Sequence, residues 1–409
     1  MKYVIIGNST AAVAAIEGIR SLDGKGEITV ISSEKHHCYG RPTISYCLKG
    51  DIKRENMYYR GADFYERQGV KLLLGKTAEK IDAESKEVIL SDGEKIGYDK
   101  LLVAAGSHPF VPKMNGLDKV KNAFNFMTYD DMLALERTLS KSKNVLVVGA
   151  GLIGLKCVEG IIDRVGSVAV VDLADRVLPS VLDKEGAAFV QKKLQGKGAK
   201  FVLNDCVAEF AEKYAKLKSG REIPFDILIV AVGVTPNISL VKDAGGECNR
   251  GIIIDKSCKT TLKDVFAAGD CAEGYDMLTN SNRVLALLPN AYYQGKCAGI
   301  NMAGGESTFE NGIPMNAVGF LGLHVLSAGI YEGECIKETT ADGYKKLFIK
   351  DGKLVGFIII GDITRAGIYT SLIRDGVELD TLDKELIFKA PQLLAFSKDV
   401  RFSKLARRV

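Results

Sequence analysis

Two glycine turns in this chain have the residue types and spacing that hold a pyrophosphate. In the second of them, Gly149-Ala-Gly-Leu-Ile-Gly154 follows the apolar run Asn144–Val148 and opens a helical pattern reaching about Arg164. Gly149 permits the turn, Gly151 lets a pyrophosphate approach the backbone, and Gly154 lets helix and strand close together. Leu152 and Ile153 fall at the helix start, where free amides and the helix dipole attract phosphate. A further apolar run, residues 168–171, ends at Asp172, eighteen residues after Gly154. A carboxylate there accepts hydrogen bonds from both ribose hydroxyls and repels a 2′-phosphate, which favours NAD(H) over NADP(H). The alternative is a glycine-rich packing turn with no ligand.

The first turn repeats this layout in degenerate form. Lys2–Ile6 is apolar, Gly7-Asn-Ser-Thr-Ala-Ala12 follows, and a small-residue helical pattern runs through Ile19 to a second apolar stretch at 28–31. Ser9 stands where the second glycine belongs and Ala12 where the third does. Glu34, twenty-two residues after Ala12, restores the turn as a ribose site. Two more apolar runs end in glycine, at Ala105-Gly106 and at Gly233, and a third, 265–271, ends in Gly269-Asp270-Cys271. Asp270 thus falls at the end of a buried strand, where ligands of doubly wound sheets collect; its bland alternative is a helix cap.

The elements that must position these residues are those of an α/β protein with two doubly wound, Rossmann-like dinucleotide-binding domains and a C-terminal α+β domain. A length of 409 residues calls for two or three domains. The stretch 70–108 reads as short alternating strands, Val70–Leu74 and Glu87–Leu90, around an Asp92-Gly93 turn. Beyond residue 310 the pattern changes. Residues 344–349 and 354–360, joined by Asp351-Gly352, read as an antiparallel hairpin, with helical patterns around 366–375 and 383–388. The expected boundaries are 1–112 with 238–310 for the first domain, 113–237 for the inserted second, and 311–409 for the third.

Composition removes several function classes. With 46% hydrophobic and 26% charged residues, the chain is neither disordered, collagen-like nor a disulfide-stapled miniprotein. Nine scattered cysteines with no CxxC or Cys/His cluster support neither zinc nor a disulfide framework, and point to a reducing compartment, the cytoplasm. No transmembrane span or signal peptide is expected, nor a metal at His36-His37-Cys38, since neighbouring side chains on an extended segment diverge. The formal charge is +4, which makes no case for nucleic acid. All of it sits in residues 398–409, where Lys398, Arg401, Lys404, Arg407 and Arg408 outnumber Asp399. This segment either steers an acidic partner or is a helix end docked through Val400, Phe402 and Leu405.

The ordered set of motifs resembles the two-dinucleotide flavoprotein reductases of the pyridine nucleotide–disulfide oxidoreductase superfamily. They are the N-terminal turn, Gly106, the central GxGxxG, Val-Gly-Val-Thr-Pro-Asn (232–237) and Ala-Ala-Gly-Asp-Cys-Ala (267–272). Tyr39-Gly-Arg-Pro42 and the run 354–362 are similar to NADH:rubredoxin reductases and to the flavoprotein part of NADH-dependent nitrite reductase. The resemblance implies FAD in the first domain and NAD(H) in the second. Gly7 and Ala12 would frame the FAD pyrophosphate, Glu34 would bind the adenosine ribose, and Arg41 and Pro42 would lie along the cofactor. Asp270 would bind the ribityl or pyrophosphate region. Pro289 and Asn290 resemble the helix start whose positive end faces the flavin N1/O2 edge.

Departures from the pattern bear on mechanism. Tyr39 stands where thiol-using members carry a redox cysteine, Cys38 is one place off, and the Cys-x4-Cys pair is absent. Cys271 is expected simply to pack. Tyr46 and Lys156 replace a Lys and a Glu that ferredoxin-reductase-like relatives place near the flavin; Lys156 is then a flavin- or nicotinamide-facing cation, or a solvated helix residue. The implied activity is hydride transfer between nicotinamide C4 and flavin N5. Electrons then pass singly to a small acidic iron–sulfur carrier of the rubredoxin or ferredoxin kind, in either direction. The alternatives are an NADH oxidase, a CoA-disulfide reductase, or the electron-transfer subunit of a larger complex. A homodimer through the C-terminal domain is a further expectation.

Overall fold

The computed structural model describes residues 1–406, with nothing said of the Lys404 side chain. Arg407 and Arg408, part of the basic segment, lie outside the described residues.

Runs of Val, Ile and Leu flanked by glycine turns give parallel strands buried on both faces. The first sheet is five-stranded and parallel, in the order Val265–Ala267, Lys100–Val103, Lys2–Ile6, Glu27–Ser32, Val70–Leu74. Val70–Leu74 is therefore its edge strand, a correction to the alternating-strand expectation for 70–108. Its apolar side chains satisfy either arrangement, and only the long-range pairing with Glu27–Ser32 decides. The Asp92-Gly93 turn does join an antiparallel pair, Glu87–Leu90 with Lys95–Gly97, and Ala78–Asp82 completes that small sheet.

A second parallel sheet has the order Ala199–Val202, Ser167–Val171, Asn144–Val148, Ile227–Val230, Ala123–Phe124. The C-terminal region carries a five-stranded antiparallel sheet. Tyr344–Lys350 and Lys353–Ile360 form its expected hairpin, and helices Gly367–Arg374 and Lys384–Lys389 lie where their patterns placed them.

Helix Thr10–Arg20 packs against helix Leu288–Met302 at backbone distance. A Cβ on Gly295 or Gly299 would overlap the carbonyl oxygens of Ala11 and Ala15. That close approach runs the two helices parallel, with the Thr10–Arg20 helix starting beyond the C-terminal end of its strand in the first sheet, where doubly wound folds bind their ligands.

Candidate functional site

A cleft of about 460 Å³ opens at that end of the first sheet. Gly7, Ser9, Glu34, Arg41, Ala105, Gly106, Gly269 and Asp270 line it, so eight of the residues singled out for FAD converge on one space. Gly7 has φ +110°, and a Cβ there would overlap the carbonyl oxygen of Ala104. Only glycine lets the first strand turn this tightly against its neighbour. A Cβ on Gly106 would meet no protein atom within 4 Å, which leaves that backbone open to a ligand. Asp270 also lines the cleft; burial raises its carboxyl above the usual range, while Arg41 and Ser107 oppose that shift.

Four other residues do not line the cleft. Ala12 is fully buried under its helix, so it serves helix-to-sheet packing. Pro42 is the N-cap of helix Thr43–Lys49. Pro289 occupies the first turn of helix Leu288–Met302, where its missing N–H costs nothing. The Asn290 side chain is buried and donates to the Ile313 carbonyl at 3.0 Å, so only its backbone is left to face a ligand.

The second turn has the same construction. Gly149 has φ +113°, and a Cβ on it would overlap the Ala231 carbonyl; one on Gly154 would overlap the Gly149 carbonyl. Gly151 is the N-cap of helix Leu152–Ile161, so Leu152 and Ile153 form its first turn. No protein atom lies within 4 Å of a Cβ built on Gly151 or Gly233. Both are open backbone with room for a ligand. The two Asp172 oxygens each hold a backbone amide, Ala150 N–H at 2.6 Å and Ala174 N–H at 2.7 Å. An ionised carboxylate has about four acceptor sites, so each oxygen retains capacity for a ribose hydroxyl, and the turn itself aims the group. The residues present fit FAD at the first turn and NAD(H) at the second.

Lys156 is neither solvated nor a free cation. It ion-pairs with Glu159, donates to the Gly319 carbonyl at 3.0 Å, and lies 3.9 Å from the centre of the Tyr46 ring. Glu159, almost wholly buried, also accepts from Leu321 N–H at 2.7 Å. The replaced pair has become a clamp joining helices Thr43–Lys49 and Leu152–Ile161 to the C-terminal sheet. Removing one partner would leave a buried charge, a cost of about 3–5 kcal/mol.

All nine cysteines are free. Cys38 is 1% exposed and burial pushes its thiol up to about 12; burial also raises Cys47. The thiolate is the reactive form, so neither group is poised for chemistry near neutral pH. Cys271 packs as expected, directing its sulfur at the Val103 and Ala268 carbonyls. We expect Cys38→Ser and Cys47→Ser to keep NADH-dependent turnover within a few-fold of the parent; abolished turnover in Cys38→Ser would restore a thiol mechanism. His36-His37-Cys38 forms no strand or helix, and no group of three metal-ligating side chains occurs among the described residues.

Several cleft residues carry no motif signal. Lys76, Thr77 and Met127 line the cleft but sit in segments whose spacing points to nothing. Asn237 is visible within Val-Gly-Val-Thr-Pro-Asn: its side chain donates to the Ala105 carbonyl at 2.8 Å, and its N–H bonds the Gly106 carbonyl at 2.9 Å.

Comparison with known proteins agrees with this geometry. Residues 1–295 match the pyridine nucleotide-disulphide oxidoreductase family, and residues 314–377 the rubredoxin NAD+ reductase C-terminal domain. The chain is 30% identical over 399 residues to the NADH-dependent phenylglyoxylate dehydrogenase subunit epsilon of Aromatoleum evansii, covering 94% of each. It is 32% identical to the assimilatory nitrate reductase electron transfer subunit of Bacillus subtilis, where 88% of this chain matches only 48% of that protein. The crystal structure of NADH:rubredoxin oxidoreductase from Clostridium acetobutylicum superposes with a TM-score of 0.74 at 26% identity, covering 93% of this chain and 97% of that one. No helix among the described residues is long and apolar enough to cross a membrane. With two dinucleotide turns on two sheets and a family match over most of its length, the chain belongs to the pyridine nucleotide-disulphide oxidoreductase family and is an NAD(H)-dependent flavoprotein oxidoreductase.

Proposed function

We propose that this protein passes electrons between NAD(H) and a small iron–sulfur carrier of the rubredoxin or ferredoxin kind, using the flavin alone. The observation that carries this reading is the pairing of two dinucleotide sites with thiols at Cys38 and Cys47 that burial raises, beside a C-terminal domain of the rubredoxin reductase type. FAD supplies the change from hydride to single-electron chemistry. The chain supplies placement: Gly7 and Gly106 give backbone access, Glu34 and Asp270 bracket the cleft, and Gly149, Gly151 and Asp172 orient the nicotinamide coenzyme. We assign residues 1–112 with 238–310 to FAD, 113–237 to NAD(H) and 311–409 to the interface domain, in keeping with the membership of the three large sheets. A homodimer through the last domain would use the exposed Leu393 and Leu394.

The test is NADH oxidation under anaerobic conditions with rubredoxin, with a [2Fe–2S] ferredoxin, and with CoA disulfide. Turnover with an iron–sulfur carrier and none with the disulfide is the expected result. Carrier reduction no faster than that of CoA disulfide would refute the assignment. The similarity to a dehydrogenase subunit favours a second reading, a flavoprotein subunit of a larger complex. Rapid flavin reduction by NADH with every free carrier inactive would favour it.

The C-terminal helix Lys398–Ala406 bears on the partner. Val400, Phe402 and Leu405 are 41%, 61% and 59% exposed, so the segment is not docked through them as a buried helix end. Among the described residues of this segment Lys398 is exposed, and we infer that the segment's charge steers the carrier, an effect that raises association rates and is screened by salt. Deleting residues 404–409 should slow reduction of an acidic carrier several-fold at low salt. The rates should converge near 1 M, where the Debye length is about 3 Å. Flavin reduction by NADH should not change, and an unaltered carrier rate at low salt would remove the steering role.

A further inference from the structure

We propose that residues 126–130 form a strap over the adenosine end of the FAD cleft, and that Tyr39 is the positioning residue coupling this strap to Glu34. The inference rests on the FAD assignment and adds how the cofactor is retained. Tyr39 is 7% exposed, and its hydroxyl donates to Glu34 Oε2 at 2.6 Å. Having given its one proton, that hydroxyl accepts from the Tyr129 N–H at 2.9 Å. Arg41 makes a parallel bridge, pairing with Glu34 Oε1 at 2.7 Å and donating to the Met127 carbonyl at 3.2 Å. His36 Nε2 lies 2.8 Å from Asp130 Oδ1, with its ring edge-on to Tyr129. His36, Tyr39 and Arg41, all just after Glu34, thus grip the strap at Asp130, Tyr129 and Met127.

The strap is anchored from its other side as well. Thr128 caps helix Tyr129–Glu136 in a reciprocal capping box, and the Asp131 carboxylate also takes the Met127 N–H at 3.0 Å. Met127, His36, Arg41 and Glu34 all line the cleft. Both Glu34 oxygens are oriented by strap-linked donors, yet each keeps acceptor capacity for a ribose hydroxyl. The strap contacts hold this carboxylate in one orientation before the ribose arrives, and by linkage the ribose affinity gained from that orientation is returned in equal measure to strap closure. Release of FAD requires the Tyr39, Arg41 and His36 contacts to open.

The test uses the purified holoprotein and its Tyr39→Phe variant, which keeps the ring and deletes the hydroxyl. Flavin release on dilution is followed by fluorescence, for FAD and for FMN, which lacks the adenosine. FAD release should speed up roughly tenfold, FMN release should stay within twofold, and hydrogen exchange at the Tyr129 amide should rise. Asp130→Asn, which alters only the exposed strap side, should speed FAD release two- to threefold with the thermal midpoint unchanged. FAD release within twofold of the parent in Tyr39→Phe, or equal acceleration for both flavins, would overturn the proposal. A parent protein that binds FMN as tightly as FAD would instead refute the adenosine assignment of Glu34, and the strap with it.

Discussion

A Gly149→Val protein should retain FAD and accept electrons from dithionite, yet lose at least about 100-fold in flavin reduction by NADH. Gly149 holds φ +113°, a conformation that a β-branched residue avoids, and its Cβ would overlap the Ala231 carbonyl. Relieving that overlap displaces the turn we assign to the coenzyme's pyrophosphate. Strain of about 1–3 kcal/mol and the loss of one charge-assisted hydrogen bond, about 1.5–3 kcal/mol, together give about 2.5–6 kcal/mol, a range centred well above the roughly 2.7 kcal/mol that a hundredfold requires. The FAD turn lies on the other parallel sheet, with Gly7 against Ala104, so the flavin content should be preserved. Stopped-flow absorbance after mixing with NADH measures the effect. Reduction within tenfold of the parent, with full flavin content, would show that this turn is not the coenzyme site.

The second large effect is coenzyme choice. NADH should reduce the flavin on the order of 30- to 900-fold more efficiently than NADPH, the ratio that roughly 2–4 kcal/mol at the ribose gives. The source is Asp172, whose carboxylate meets the ribose hydroxyls of NADH and a 2′-phosphate dianion in NADPH. The parent protein is the better test. Because Asp172 also holds the Ala150 and Ala174 amides, Asp172→Ala would loosen the glycine turn and lower the rate with both coenzymes. Equal efficiency with NADH and NADPH in the unmutated protein would remove Asp172 from the coenzyme's ribose.

Both expectations are legible in the amino-acid sequence because local chemistry dictates the two turns. Gly149, Gly151 and Gly154 are required by a tight turn, a close ligand and a close helix, and Glu34 and Asp172 end the strands that follow. What sequence does not show lies in contacts between distant segments. Val70–Leu74 has the composition of either a hairpin strand or a parallel edge strand, and only its pairing with Glu27–Ser32 decides. Lys156 looks like a solvated helix residue or a cofactor-facing cation. Its partner Glu159 is three residues on, but Tyr46 and Gly319, which complete the clamp, are more than a hundred residues away. Met127 and Tyr39 have no motif spacing relative to Glu34, yet the fold bonds Tyr39 to Glu34 directly and links Met127 to it through Arg41. Cys38 stands one residue off the thiol position in the sequence, and the fold adds what sequence does not show, a thiol raised by burial.

The central claim is that the flavin is the only redox centre between NAD(H) and the outgoing carrier. It is tested most directly by an anaerobic titration of the purified holoprotein with dithionite, counting electrons against FAD absorbance. Uptake of two electrons per FAD, with no further change on continued addition, is the expected result. Uptake of four electrons per FAD, with a charge-transfer band at the two-electron stage, would contradict it by revealing a thiol or disulfide in exchange with the flavin.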